Sequence, residues 1–248
     1  LLRHRDTTPG GYWLYNEDDI ERLITIQAIP TYSLDVAYMI DNNIGFIKLN
    51  KFSQTTHKEF VDAIRKLQKE GMTQLILDLR GNTGGYLGEA VGIADEMLRD
   101  NNLIVYTEGE HRDRSYIFAR HRGLWEDKDV VVLIDEGSAS ASEIVAGALQ
   151  DNDRGLIIGR RSFGKGLVQE QFNLGENGAL RLTVARYYTP TGRCIQKPFS
   201  GDKAEYLLEE YARYETGEMF NIDSIHFADS LKYITPGGKT VYGGGGIM

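Results

Sequence analysis

Apolar and polar residues alternate along this chain with two periods. In TTHKEFVDAIRKLQKEG, Phe60, Ile64 and Leu67 recur at helical spacing on one face. Thr55 or Thr56 can cap that helix and Gly71 can end it. VAYMI and IGFIKL read as two strands around the turn DNN. QLILDL and DVVVLI are near-continuous apolar runs of strand length, as expected of strands covered on both faces. EAVGIADEMLRD follows the glycine-rich turn RGNTGGYLG and reads as a helix. SASEIVAGALQD is another, with Ile144, Val145, Ala148 and Leu149 on one side. GLIIG, LVQEQF and ALRLTVARYY read as strands, and KAEYLLEEYARYE as a late helix. Strands and helices interleave, which predicts an α/β fold. The first thirty residues differ. TTPGGYWLYNEDD is polar and turn-rich, RLITIQ alternates like a strand, and a domain boundary falls near Pro30.

Composition narrows the function classes. At 248 residues and 41% hydrophobic content, the chain can bury a core. A net charge of -8 disfavours a nucleic-acid partner. The longest apolar runs are too short to span a bilayer, so no stable membrane insertion is expected. A single cysteine, Cys194, rules out an internal disulfide. Without a signal-like apolar segment at its start, the sequence reads as a mature or trimmed chain. There is no H-E-x-x-H and no cysteine pair, so neither a metal nor another cofactor is expected.

Two stretches carry candidate chemistry. In IIGRRSFGKG, Gly159, Gly164 and Lys165 spell most of a phosphate-binding loop. Gly166 stands where the magnesium-binding hydroxyl belongs, and LVQEQFNLG continues as a strand rather than a helix. That removes the helix N-terminus on which a phosphate would rest. What remains is a lysine framed by glycines, with Lys165, Leu167 and Gln169 on one face of a strand.

The other stretch, DEGSASASEIVAGALQD, passes from a buried strand into a helix through small residues. Ser138, Ser140 and Ser142 compete there. Ser140 and Glu143 have capping-box spacing, so Ser140 sits beside the unpaired N–H groups of a helix start, where an oxyanion could be held. On spacing alone, a plain N-cap explains Ser140 better than catalysis does. The strand-turn-helix context is that of a nucleophile elbow, but G-x-S-x-G is absent. A Ser-His-Asp triad in hydrolase order would have to use His226, the one histidine after these serines. His4, His57, His111 and His121 precede them, an order that would suit an all-β fold. A serine at a helix start plus an unusual lysine has the form of a Ser-Lys dyad. Such a lysine works as a base only when neutral. Its ordinary pKa is ~10.4, and burial away from a carboxylate lowers it.

GSASASEIVAGALQDNDRG followed by GRRSFGKGLVQ resembles the carboxyl-terminal processing (tail-specific) proteases of peptidase family S41. GFIKLNKFSQTTHKEF, LILDLRGNTGG, LRLTVARYYTPTGRCIQ and KTVYGGGGI resemble that family too, in its order. The likeness covers roughly residues 31–248, and the spacing from Ser140 to Lys165 fits the family pattern, selecting Ser140 over its neighbours. The resemblance implies a serine endopeptidase with a ClpP/crotonase-like α/β core. It would cut unstructured proteins at or near flexible, apolar C-termini through an acyl-enzyme. Ser140 would be the nucleophile, Lys165 the general base and Gln169 its orienting partner. The N–H groups of Ala141 and of Gly84 or Gly85 would form the oxyanion hole. Glu143 and Asp151 would be structural. Residues 1–30 would be the remnant of a PDZ-like domain with its linker, and the core 31–248 would be shortened at its C-terminal end. The resemblance also implies a periplasmic or other extracytoplasmic location, and leaves a homo-oligomer open. Two other functions fit parts of the sequence: a non-catalytic module binding peptides in the same groove, and a Ser-His-Asp hydrolase using His226.

Overall fold

The structure, a computed structural model, describes residues 32–175, 178–221 and 224–248. The expected boundary near Pro30 and the PDZ-like remnant lie outside the described residues.

A five-stranded sheet forms the centre. Its strands are β1 (Leu34–Met39), β2 (Ile44–Leu49), β3 (Gln74–Asp78), β6 (Asp129–Ile134) and β7 (Leu156–Gly159), in the order β1-β2-β3-β6-β7. β1 and β2 form an antiparallel hairpin, and the remaining pairs are parallel. The parallel crossovers carry helices α1 (Thr56–Lys69), α2 (Leu87–Asp95) and α3 (Ala141–Asp151). Leu75, Leu77, Val130, Val132 and Ile134 from β3 and β6 are buried, as their apolar runs predicted.

α1 buries the predicted face, with Phe60, Ile64 and Leu67 at most 1% exposed. Thr55 takes the N-cap position without capping through its side chain, and its hydroxyl instead donates to Glu59 Oε1 at 2.5 Å. Gly71, at φ +106°, turns the chain after the helix. α3 departs from its predicted one-sided pattern, because ten of its eleven residues are buried. Small residues make this possible: Gly147 lies so close to Thr189 and Ile247 that a Cβ there would come within 2.9 Å of Thr189.

A second, antiparallel sheet runs β5-β4-β9-β8, from β4 (Leu103–Gly109), β5 (Arg112–Phe118), β8 (Leu167–Asn173) and β9 (Ala179–Tyr188). The β4–β5 hairpin has no counterpart among the predicted elements. α4 (Lys203–Glu215) follows, its start capped by Asp202, which accepts from Ala204 and Glu205. A small ribbon of β10 (Lys232–Ile234) and β11 (Thr240–Tyr242) completes the described chain. No helix among the described residues is long and apolar enough to cross a membrane.

Candidate active site

The turn between β6 and α3 is held from beneath by hydrogen bonds to the loop after β3. The Ser138 hydroxyl donates to the Leu79 carbonyl at 2.8 Å. The Ser142 hydroxyl donates to the Asn82 carbonyl at 2.8 Å, and the Ala139 N–H donates to the same oxygen at 3.0 Å. Ser138 and Ser142 are both fully buried. Ser140, between them, has φ +56° and ψ -111°, a conformation that side chains rarely adopt. Such backbone persists only where its surroundings over-determine it, and here they do. The outcome separates the three serines. Two hydroxyls are occupied under the turn, while Ser140 is half-buried and lines an open cleft.

The lysine stretch arrives from β7. Gly159 and Gly164 take left-handed φ of +132° and +87°, and β8 begins just after Gly166. A strand, not a helix, follows the lysine, as its alternation predicted, so no helix N-terminus stands there for a phosphate. The Phe163 N–H donates to the Ser138 carbonyl at 2.9 Å. Behind the loop runs the segment 244–248. The Ser162 N–H donates to the Ile247 carbonyl at 2.9 Å, the Ile247 N–H donates to the Ser162 hydroxyl at 2.7 Å, and the Gly246 N–H reaches the Ile195 carbonyl.

Glu143 joins the two stretches. It is 1% exposed, on the first turn of α3. One carboxylate oxygen, Oε2, accepts from the Ser140 N–H at 2.8 Å and the Lys165 N–H at 2.9 Å. The other, Oε1, accepts from the Ser162 hydroxyl at 2.6 Å and the Gly164 N–H at 2.7 Å. Burial pushes this carboxyl up, and the four donors pull it back. The capping role predicted for Glu143 is therefore present, but it also reaches the lysine loop.

The cleft has a volume of about 560 Å³ and brings together Ser140, Lys165, Gln169, Gly84 and Gly85. The strand period that placed Lys165, Leu167 and Gln169 on one face extends to Gln171, which also lines it. Arg181 and Tyr187 of β9 complete that wall. No feature of the sequence marked Arg181. Among the described residues no acidic side chain lines the cleft.

The two candidate glycines differ. The Gly84 N–H is taken by the Asn82 side chain at 2.9 Å. The Gly85 and Ala141 N–H groups make no hydrogen bond among the described residues. Both glycines are sterically required: a Cβ on Gly84 would lie 2.6 Å from the Ala139 carbonyl, and one on Gly85 would lie 2.0 Å from that of Phe52.

The remaining candidates lie elsewhere. Asp151, at the far end of α3, is fully buried. It pairs with Arg193 at 2.7 Å and accepts from the Thr191 hydroxyl. His226 is exposed and does not line the cleft. His57 pairs with Glu96 at 3.0 Å and His121 with Asp95 at 2.8 Å. Among the described residues no cluster of histidine, cysteine or carboxylate groups could hold a metal ion.

Comparisons with known proteins follow the same residues. The family model described as "Peptidase family S41" matches residues 43–202. A carboxy-terminal-processing protease of Bartonella bacilliformis is 44% identical over 165 residues, 65% of this chain and 38% of that protein. The carboxy-terminal processing protease CtpA of Bacillus subtilis is 37% identical over 196 residues, 79% of this chain and 41% of that protein. The chain thus spans about two fifths of the length of these relatives. Among solved structures, a photosystem II D1 C-terminal processing protease superposes with a TM-score of 0.57 at 39% identity, over 62% of this chain and 39% of the other. A lipoprotein from Streptococcus agalactiae has a TM-score of 0.58 at 16% identity, covering 83% and 76% of the two chains, a likeness of fold alone. With the family match covering well over half its length, the chain belongs to peptidase family S41.

Proposed function

We propose that this chain is the catalytic part of a serine endopeptidase in which Ser140 and Lys165 act as a dyad. One observation carries this reading. Of three neighbouring serines, the one that lines the cleft shares a buried carboxylate anchor, through backbone N–H groups, with a lysine on the same cleft.

In this mechanism the neutral Lys165 amine takes the proton of the Ser140 hydroxyl as Oγ attacks the scissile carbonyl carbon. The oxyanion that forms accepts from the N–H groups of Ala141 and Gly85, at the positive end of α3. Gly84 shapes the same wall while its own N–H stays on Asn82. Collapse breaks the C–N bond, and the lysine ammonium returns its proton to the departing amine. Lys165 then removes a proton from water. The resulting hydroxide attacks the ester, and Ser140 leaves with its proton restored. Gln169 holds the amine toward the serine without giving it a charge partner.

The relatives are named for carboxyl-terminal processing, and the substrate is read as a protein chain cut at or near a flexible, apolar C-terminus and docked as an extended strand. Among the described residues β8 is an edge strand beside the cleft, which suits such docking. The core is read as ClpP/crotonase-like, and the location as extracytoplasmic. Residues 1–30 are read as the remnant of a PDZ-like domain.

The test is incubation with an unstructured polypeptide. Ser140→Ala and Lys165→Ala are each expected to lower turnover about a thousandfold or more, with His226→Ala close to parent. Normal cleavage by Lys165→Ala would sink the dyad. A parent that binds the polypeptide but never cuts it would instead make the chain a peptide-binding module.

A further inference from the structure

The cleft is one-sided in charge. Among the described residues lining it, Lys165 and Arg181 are basic and none is acidic. In the proposed reaction Lys165 is spent on proton transfer and must be neutral to begin it. Arg181 has no such task. It sits on β9 opposite Gln171, toward the far end of the β8–β9 hairpin. Two other arginines of the same sheet are neutralised, and Arg186 of β9 does not line the cleft. Arg112 pairs with Glu170 at 2.5 Å and Arg114 with Glu108 at 3.0 Å. The Arg181 guanidinium has no hydrogen bond, ion pair or ring contact among the described residues. It is exposed toward a space bordered by the amides of Gln169 and Gln171.

We propose that Arg181 is a subsite for a substrate carboxylate, lying five to six residues along the bound peptide from the scissile bond. This rests on the protease reading above and adds to it a charge preference at a set distance. The distance comes from strand geometry. Lys165 and Gln171 are six residues apart in sequence, with a bulge at Val168/Gln169, so Arg181 lies about 15–20 Å from the lysine along the strand. An extended peptide lying along β8 has the same rise per residue. A guanidinium offers a planar fork that matches a carboxylate with two parallel hydrogen bonds. The carboxylate can come from an Asp or Glu side chain or from the peptide's own C-terminus. Both present the same group to the fork.

The experiment uses a set of fluorogenic peptides with one cleavable site. In one series a single Glu is moved from three to eight residues away on either side and compared with Gln at the same place. In a second series the peptide ends at those positions as a free acid or as an amide. The readout is the ratio of kcat/KM for the carboxylate peptide to that for its neutral twin, so any general loss of activity cancels. The parent is expected to give a ratio of about ten, confined to one or two positions on one side. Arg181→Ala should bring it to about one, and Arg181→Glu below one. The series that shows the ratio identifies the source of the carboxylate. A parent ratio near one at every position, or the same ratio in parent and Arg181→Ala, would overturn the subsite. Affinity of labelled peptides for Ser140→Ala gives the same ratio without cleavage. Failure of the protease reading, in which no peptide is cut, therefore stays distinct from failure of the subsite.

Discussion

Ser140 and Lys165 reach the same cleft from unlike surroundings. Ser140 heads a helix that is buried almost all round, on a turn tied to the neighbouring loop by two occupied serine hydroxyls and Asn82. Lys165 opens a hairpin whose far half is exposed at Gln171–Gly175 and Arg181–Thr183, with Phe172 and Leu182 each 40% accessible. The proposed nucleophile is fixed by the core, and the proposed base stands where the core gives way to an exposed surface. Glu143 bridges the two, so the accuracy of the serine turn is passed to the lysine loop through one carboxylate. Catalysis needs both groups placed within a fraction of an ångström, while binding needs an adaptable wall. The contrast shows how a single cleft supplies both.

The contrast can be broken most severely at the core end. Asp151→Asn leaves the Arg193 cation buried without its counter-charge and is expected to cost about 3–5 kcal/mol, read from the urea midpoint. A shift under about 1 kcal/mol would mean that α3 is not the rigid side. Next comes the bridge. Glu143→Gln turns one acceptor into a donor facing donors, so a loss of about 2–3 kcal/mol is expected. Turnover should fall further than stability explains, because the serine and lysine lose their common anchor. Stopped kinetics on fully folded protein separates the two effects. At the hairpin, Phe172→Ser or Leu182→Ser should move stability by no more than about 0.5 kcal/mol in the same melts.

The smallest effect lies on the α1–α2 side of the core, at His57 and Glu96. The hydrogen bond that His57 donates to Glu96 raises the His57 pKa above its ordinary value, and the same bond holds Glu96 below its own. The histidine's contribution is complete below about pH 6.5 and fades as pH rises through its raised folded pKa. The Glu96 contribution is present above about pH 4.3 and fades as pH falls through its lowered one. Partial exposure keeps the sum below about 0.5 kcal/mol. His57→Ala should flatten stability across that window, as followed by melting at stepped pH.

Much of this could be read in the residues themselves, and the exceptions have physical causes. β3, β6 and α1 carry the period of their burial, so pattern alone located them. The β4–β5 hairpin escaped because β5 exposes nearly every side chain, leaving RDRSYIF with no apolar period. The one-sided reading of α3 failed for the opposite reason. Small residues let the helix be packed on all sides, and a face cannot be picked out when every face is buried. Within the cleft, Lys165, Leu167 and Gln169 followed from strand alternation. Spacing made Ser140 and Glu143 a cap, and they are one. That Glu143 also reaches Gly164 and Lys165, 21 and 22 residues on, is a contact between elements that no local pattern encodes. Arg181 was equally silent, because its meaning depends on which strand lies beside it.

The pair of hydrogen bonds between Ser162 and Ile247 has a consequence in time. A ribosome adds Ser140 107 residues, and Lys165 82 residues, before it adds Ile247. Until then the lysine loop lacks two of the hydrogen bonds that fix it. If the proposed dyad holds, the half-made chain carries its serine with an unmoored lysine, and translation itself keeps it inactive. Chains stopped at residue 240 are expected to fold their central sheet and yet cleave nothing.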